Sequence, residues 1–202
     1  RAVVAVVSDH GFAEVDAEVN LKSALREAGL VERDAQGRVT SWRASAWVAG
    51  ATAAIVLRDP GDGDAERRAG ELVRRLSEGP DAVVARTLRP PECAALGGFP
   101  TASFVITLRP GHYFGNSPYG PLVVRRDRPE APGYRGMHGF LPDEPAMRAA
   151  FFLVGPRVPA GRSLGAIDLR DVAPTLAALL GVGLPSAEGR NLLAGAAPPL
   201  AN

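Results

Sequence analysis

VVAVVSDHGF, residues 3–12, is the stretch on which the fold of this chain depends. The apolar run at residues 3–7 is long enough for a β-strand buried on both faces and too short for an ordinary helix. In open α/β sheets, ligands bind just past the carboxyl ends of such strands. Asp9 offers an oxygen ligand and His10 a nitrogen ligand, a mixture that Zn²⁺ accepts. The alternative is a strand followed by an ordinary turn at Gly11, and both interpretations are open at this point.

The composition is that of an ordinary globular protein. A length of 202 residues is enough for one substantial domain, and 46% hydrophobic with 22% charged residues is a usual mixture. The formal net charge of +1 gives no signal for binding to nucleic acid or to an anionic membrane. No apolar run reaches about 18 residues, so no membrane span is predicted. Cys93 is the single cysteine, which excludes an intrachain disulfide.

A small α+β unit is predicted between residues 44 and 108. Short apolar runs bounded by Gly, Pro and Asp indicate strands, and an apolar stripe at helical spacing indicates a helix between them. The predicted strands are residues 45–48, 52–57, 82–87 and 103–108, and the predicted helix is residues 65–77 with Asp64 as its N-cap. Before this unit, residues 13–20 are predicted to form a loop, with Asn20 capping a helix over residues 21–28.

Residues 109–139 are rich in Gly and Pro and are predicted to be irregular. A connection of this length inside a compact domain is usually functional or disordered. It contains His112 and ends at His138, which lies between Gly136-Met137 and Gly139. The flanking glycines clear space for a ligand near the backbone, although a purely structural turn is the alternative. A buried strand at residues 149–154 and a helix at 174–180 are predicted to follow.

The order of four motifs adds a resemblance. SDHG at residues 8–11 is followed by GMHGFLPD at 136–143, FFLVGP at 151–156 and IDLRDVAPTLAALLG at 167–181. This series resembles the C-terminal half of the alkaline phosphatase superfamily, and it is most similar to the type I phosphodiesterase/nucleotide pyrophosphatase branch. The resemblance extends from residue 3 to about residue 193 and is weakest over residues 33–134. It favours the interpretation of Asp9, His10 and His138 as metal ligands.

The resemblance implies an α/β fold in which helices flank a central, mostly parallel sheet. The α+β unit at residues 44–108 is then an insertion. The whole chain, residues 1–202, is implied to be the C-terminal portion of one alkaline-phosphatase-like domain. We therefore expect the N-terminal part of the fold to precede Arg1.

A site for two Zn²⁺ ions at the carboxyl ends of the strands is also implied. Asp9 and His10 match the ligands of the ion that also holds the nucleophile, and His138 matches a ligand of the second ion. Two ions roughly 4 Å apart can stabilise both the attacking and the leaving oxygen of an in-line displacement. Such a pair needs about six to eight ligands. The chain offers three matched ones, so the others and the family's Thr or Ser nucleophile are expected upstream of Arg1.

The function implied for the intact parent is hydrolysis of phosphate diester or pyrophosphate bonds in a small-molecule phosphate ester or nucleotide. A periplasmic or secreted location is implied as well. The chain alone is expected to be inactive, and to bind zinc weakly or not at all unless an N-terminal segment or another chain completes the site. A related phosphonate hydrolase, phosphomonoesterase or sulfatase is an alternative. A non-catalytic binding or structural module of the same fold is another.

Several other polar and aromatic side chains are candidates for the site. His112 is a possible ligand or cleft residue, and Asp143 is either a partner of the His138 loop or a turn residue. Asp168 and Asp171 precede the last predicted helix, and capping and orienting that helix is their expected role. Packing is expected, rather than stacking on a base, for the aromatic residues Tyr113, Phe114 and Tyr119.

Overall fold

The computed structural model describes residues 2–126 and 132–194 of the chain. By its internal contacts the chain divides into a central unit, Phe12–Met147, and a terminal unit that combines Arg1–Gly11 with Arg148–Asn202. Strands and helices occur in both units, which confirms the predicted α/β class. Over the described residues, no helix is both long and apolar enough to cross a membrane.

The elements are numbered in chain order. The strands are β1 (Val4–Val7), β2 (Ala13–Val19), β3 (Val31–Arg33), β4 (Val39–Trp42), β5 (Ala44–Ala49), β6 (Thr52–Leu57), β7 (Val84–Leu88), β8 (Phe104–Leu108), β9 (Gly111–Phe114), β10 (Val123–Arg125), β11 (Gly136–Met137) and β12 (Phe151–Val154). The helices are α1 (Leu21–Glu27), α2 (Gly63–Ser77), α3 (Pro90–Ala95) and α4 (Val172–Leu180).

One of the two four-stranded sheets of the central unit is antiparallel and has the order β5-β6-β8-β7. We call it the β5–β8 sheet. Its inner strands β6 and β8 are apolar and almost wholly buried, because one core cluster covers each face. On one face, Ile55 and Ile106 pack with Leu72 of α2. On the other face, Val105 packs with Cys93 and Leu141. The predicted strands and helix are therefore present within one or two residues of their expected ends, and the inserted unit at residues 44–108 stays a prediction.

Strand β2 occupies residues that we predicted to be a loop, and that prediction is wrong. Its sequence AEVDAEV alternates apolar and acidic residues, which is the period of a half-buried strand. Val15, Ala17 and Val19 are buried, and the acidic residues alternate with them. Strand β2 pairs in parallel with β9 and antiparallel with β10 and β11. Among the strand pairs that the structure describes, β2 with β9 is the parallel one, so the parallel part of the expected sheet is represented here by that pair.

Two predicted helix caps differ from the structure. The Asn20 side-chain amide donates to the carbonyl oxygen of Pro121 (3.0 Å) rather than capping α1. At α2 the N-cap is Asp62, whose carboxylate accepts from the Ala65 backbone N–H (3.0 Å). Asp64, the predicted cap, lies in the first turn and binds Arg43. Both aspartates suit this helix terminus, so the sequence spacing could not choose between them.

The start of α2 is held by a charge cluster around one arginine. Arg43 donates to both carboxylate oxygens of Asp62 (2.8 and 2.5 Å) and to one of Asp64 (2.7 Å). Such bidentate, charge-assisted bonds are stronger than neutral ones. The Arg43 guanidinium and the Ala65 N–H hold the pKa of Asp62 at about 2, and hydrogen bonds from Arg43 and Arg67 lower the pKa of Asp64.

This cluster predicts a pH-dependent contribution to stability. A carboxyl whose pKa is depressed in the folded state contributes stability above its unfolded pKa of about 3.9, and loses it as the pH falls through its folded pKa. The free energy of unfolding of Arg43→Gln should therefore differ from that of the wild type most above about pH 4, and the difference should shrink towards pH 2. Urea unfolding across this range measures it. Arg75→Gln, at an exposed α2 residue without an ion pair among the described residues, is the control and should show no such trend.

In the terminal unit, β1 and β12 pair antiparallel, with Val4 opposite Val154 and Val7 opposite Phe151. Both strands were predicted to be buried, and this is wrong. Val4 is 58% exposed and Phe152 63% exposed. In the part of the chain that the structure describes, each strand is paired only with the other. A strand with a single neighbour buries less side-chain surface than an interior strand.

The aspartates before α4 cap a 3₁₀-helix that leads into α4, whereas the side chain of Asp171, the N-cap residue of α4, makes no cap hydrogen bond to α4 itself. A 3₁₀-helix, Leu169–Asp171, leads into α4, and the Asp168 carboxylate accepts from the Arg170 N–H (2.9 Å) at its start. Asp171 is buried and accepts from the Arg190 N–H (2.9 Å), which ties the following loop to the helix. These aspartates therefore serve the fold of this segment.

Candidate functional site

Asp9 and His10 follow β1 directly, and their side chains lie next to each other. The Asp9 carboxylate accepts from the His10 backbone N–H (3.0 Å). The ring atom Nδ1 of His10 lies 2.9 Å from the carbonyl oxygen of Gly11, and Nε2 lies 3.4 Å from Oδ2 of Asp9. The Asp9 side chain is 84% exposed and that of His10 is 32% exposed. Both groups are therefore accessible from solvent.

The contact with Gly11 determines the tautomer of the His10 ring. A carbonyl oxygen only accepts, so Nδ1 must carry the proton that binds Gly11. In the neutral ring, Nε2 then holds a lone pair that faces a carboxylate oxygen. A metal ion could be bound by these two atoms together.

The donor atoms fit a zinc ion. Ligands about 2.0–2.1 Å from a tetrahedral zinc lie about 3.3–3.4 Å from each other, and Nε2 of His10 is 3.4 Å from Oδ2 of Asp9. Metal-binding histidines commonly donate their other ring N–H to a backbone carbonyl, as Nδ1 does here towards Gly11. The pair therefore has the spacing and the tautomer of two ligands of one ion.

His138 belongs to the central unit and follows β11. Its side chain is partly buried, and its ring centroid lies 5.8 Å from that of Phe12, with the ring planes at 60°. Its backbone oxygen accepts from the Ala51 N–H (3.0 Å). The structure thus brings together Asp9 and His10 within one unit and holds His138 firmly within the other.

The shared site of Asp9, His10 and His138 stays a prediction. Over residues 2–126 and 132–194, no group of three or more His, Cys, Asp or Glu side chains is placed to hold a metal ion. Asp9 and His10 make a local pair within the terminal unit.

The other candidates have structural partners. Nδ1 of His112 lies 3.1 Å from the carbonyl oxygen of Pro110, and its Nε2 is buried without a hydrogen-bond partner among the described residues. Asp143 forms an exposed ion pair with Arg86 (2.5 Å). Among the described residues, neither His112 nor Asp143 belongs to a group of three or more side chains that could hold a metal ion.

The aromatic residues pack, as predicted. The Tyr113 hydroxyl is buried and donates to the Glu18 carboxylate (2.9 Å). Burial and the adjacent Glu18 raise the pKa of Tyr113, so its hydroxyl stays protonated as a donor. Phe114 belongs to the main core, and the guanidinium of Arg26 lies 5.2 Å above the ring of Tyr119.

The sequence interpretation missed two residues beside His138. Phe12 was treated only as the end of the opening stretch, and Gly50 only as a break between two predicted strands. A signal was available for Gly50, because a glycine between two apolar strands often marks a close approach of another backbone. No comparable signal pointed to the contact of Phe12 with His138.

The family model described as "Type I phosphodiesterase / nucleotide pyrophosphatase" matches residues 1–141 of the chain. No curated protein sequence matches it. Human and murine ectonucleotide pyrophosphatase/phosphodiesterase 5 are structurally similar, each with a TM-score of 0.60 and 15% identity over 93% of this chain. A phosphonoacetate hydrolase from Sinorhizobium meliloti matches with a TM-score of 0.45 and 20% identity, over 78% of this chain and 38% of its own. This chain spans 42% of the human protein and 43% of the murine one, and at this identity the likeness shows a shared fold.

Proposed function

Because the chain belongs to the type I phosphodiesterase/nucleotide pyrophosphatase family, we propose that it forms part of a zinc-dependent hydrolase of phosphate diester or pyrophosphate bonds. The observation that carries the proposal is the pair formed by Asp9 and His10 just after β1. Its donor atoms have the separation of two ligands on one zinc ion, and the bond of Nδ1 to Gly11 gives the tautomer in which Nε2 is the metal-binding atom. The substrate is proposed to be a small-molecule phosphodiester or a nucleotide.

Asp9 and His10 would hold one zinc ion, and His138 would contribute to a second. When bound, such a pair of ions supplies charge stabilisation for the attacking, leaving and non-bridging oxygens at phosphorus. Asp9 contributes a full negative charge to this site. The hydrogen bond from Nδ1 of His10 to Gly11 keeps the ring in one orientation.

The nucleophile is proposed to be a Thr or Ser outside residues 1–202. Thr175, which lies within the family motif at residues 167–181, does not fit the role of nucleophile. It is fully buried, and its hydroxyl donates to the Asp171 carbonyl oxygen (2.7 Å). The Thr175 hydroxyl oxygen also accepts from the Leu192 N–H (3.0 Å). A nucleophile must instead reach the phosphorus atom and be activated by a base or a metal ion. The remaining metal ligands are proposed to lie outside this chain as well, and the chain alone is then inactive.

Metal analysis tests this proposal. The full-length protein should retain about two equivalents of zinc after dialysis, as a two-metal hydrolase does. Asp9→Ala should retain about one, because that ion loses a charged ligand. Asp143→Ala is a matched control, since its carboxylate forms a surface ion pair with Arg86, and it should retain both ions. A full-length protein that binds no zinc and hydrolyses no phosphodiester would instead be a non-catalytic module.

A further inference from the structure

The β5–β6 turn, residues Ala49–Ala51, contacts the backbone of the His138 loop at His138 and Gly139. The Ala51 N–H donates to the His138 carbonyl oxygen (3.0 Å). The carbonyl oxygen of Gly50 accepts from the Phe114 N–H (2.9 Å), which anchors the turn to β9. The turn is therefore hydrogen-bonded both to the candidate ligand and to a strand of the neighbouring sheet.

The approach of the turn to the loop requires two glycines. A Cβ atom on Gly50 would lie 2.2 Å from the His138 carbonyl oxygen, and one on Gly139 would lie 2.1 Å from the Ala49 carbonyl oxygen. Both glycines also have positive φ, at +66° and +78°. Any side chain at either position would push the two backbones apart, because the obstructing atoms belong to the backbone and cannot rotate away.

The opposite side of the loop is held by the start of β2. Strand β11 pairs with it, placing Gly136 opposite Glu14 and Met137 opposite Ala13. The Phe12 ring lies against the His138 ring at 5.8 Å. His138 thus sits between β2 and the β5–β6 turn, and a movement of the turn must be transmitted to its backbone.

We propose that the β5–β6 turn is a positioning element for His138, through which the β5–β8 sheet determines the zinc affinity of the site. No candidate ligand among the described residues comes from that sheet, so its contribution is made through the His138 backbone. The proposal rests on the proposed function, in which His138 is a metal ligand. Because a ligand must be held within tenths of an ångström, supporting contacts of this kind commonly change metal affinity by about 10–100-fold.

The test compares Gly50→Ala with Gly79→Ala in the full-length protein. Gly79 has φ +86°, and an added Cβ would meet no described atom within 4 Å, so it carries the same backbone strain without the contact. Imidazole NMR signals of metal-free protein labelled with ¹⁵N-histidine report on His138, assigned with His138→Gln. Gly50→Ala should shift these signals and weaken zinc binding about 10–100-fold, whereas Gly79→Ala should do neither.

The outcomes separate this proposal from the proposed function. Unchanged His138 signals in folded Gly50→Ala overturn the positioning role. Shifted signals with unchanged zinc affinity overturn the proposal that the sheet determines zinc affinity, whereas the proposed function is tested separately by the zinc content of the wild-type protein. If Gly50→Ala does not fold, hydrogen exchange of the Ala51 amide in the wild-type protein tests the proposal instead. Zinc should slow exchange of the Ala51 amide at least about tenfold, because coupling between two sites is reciprocal, and equal rates with and without zinc overturn the proposal.

Discussion

Replacing His138 with alanine in the full-length protein should lower kcat/KM for a phosphodiester substrate by at least about 10³-fold. His138 is proposed to hold one of two metal ions, and such ions stabilise the transition state by several kcal/mol. Each 1.36 kcal/mol corresponds to a factor of about ten in rate. Steady-state kinetics with a chromogenic diester, together with zinc analysis of the variant, measures both consequences of losing the ligand.

His112→Ala is the matched control for this experiment. His112 lies in the same unit, and its Nδ1 is held at the Pro110 carbonyl oxygen (3.1 Å) rather than in a group of ligands. The variant should keep kcat/KM within a few-fold of the wild type. A His138→Ala enzyme with a near-normal rate, or a His112→Ala enzyme with the larger loss, would show that the ligand has been assigned to the wrong histidine.

Ile106→Ala should lower the free energy of unfolding by about 2–5 kcal/mol, the usual cost of removing a large aliphatic side chain from a packed core. Ile106 is fully buried on β8, in the cluster that joins the β5–β8 sheet to α2. Its removal leaves a cavity between layers that cannot easily close. Equilibrium unfolding in urea measures the change.

Trp47→Ala serves as the comparison within the same sheet. Trp47 lies on β5 and is 71% exposed, so its truncation should change stability by no more than about 0.5 kcal/mol. A larger loss for Trp47→Ala than for Ile106→Ala would place the core of this unit on the other side of β5.

The fold was predictable where the sequence signal is local. Strands β6 and β8 are continuous apolar runs, and the apolar stripe of α2 has helical spacing, so these elements were predicted correctly. Strand β2 has an equally clear alternation, but Ala, Glu and Asp are weak strand formers, and the strand depends on partners that lie far away in the sequence. The burial of β1 could not be predicted, since it depends on how many strands pair with it.

The site, like the fold, was predictable only where its residues lie close together in the sequence. Asp9 and His10 are adjacent in sequence, so their proximity was assured, and their fitness as ligands depends only on the turn at Gly11. His138 could be singled out by its flanking glycines. Its contacts with Phe12 and with the Ala51 N–H arise from tertiary packing, which no local pattern encodes. Choosing Asp62 or Asp64 as the cap of α2 likewise depended on where the Arg43 guanidinium lies.

The ladders made by β1 and β2 also set the order in which the chain can fold. Ser8 and Ala150, which hydrogen-bond beside β1, are 142 residues apart, and Glu18 and Tyr113, which bond β2 to β9, are 95 residues apart. Closing such long loops is slow, whereas the antiparallel neighbours within residues 44–108 meet early. Strands β1 and β2 must therefore wait for partners that are made much later. We expect the β5–β8 sheet to form first and to serve as the template on which β2 and the His138 loop assemble.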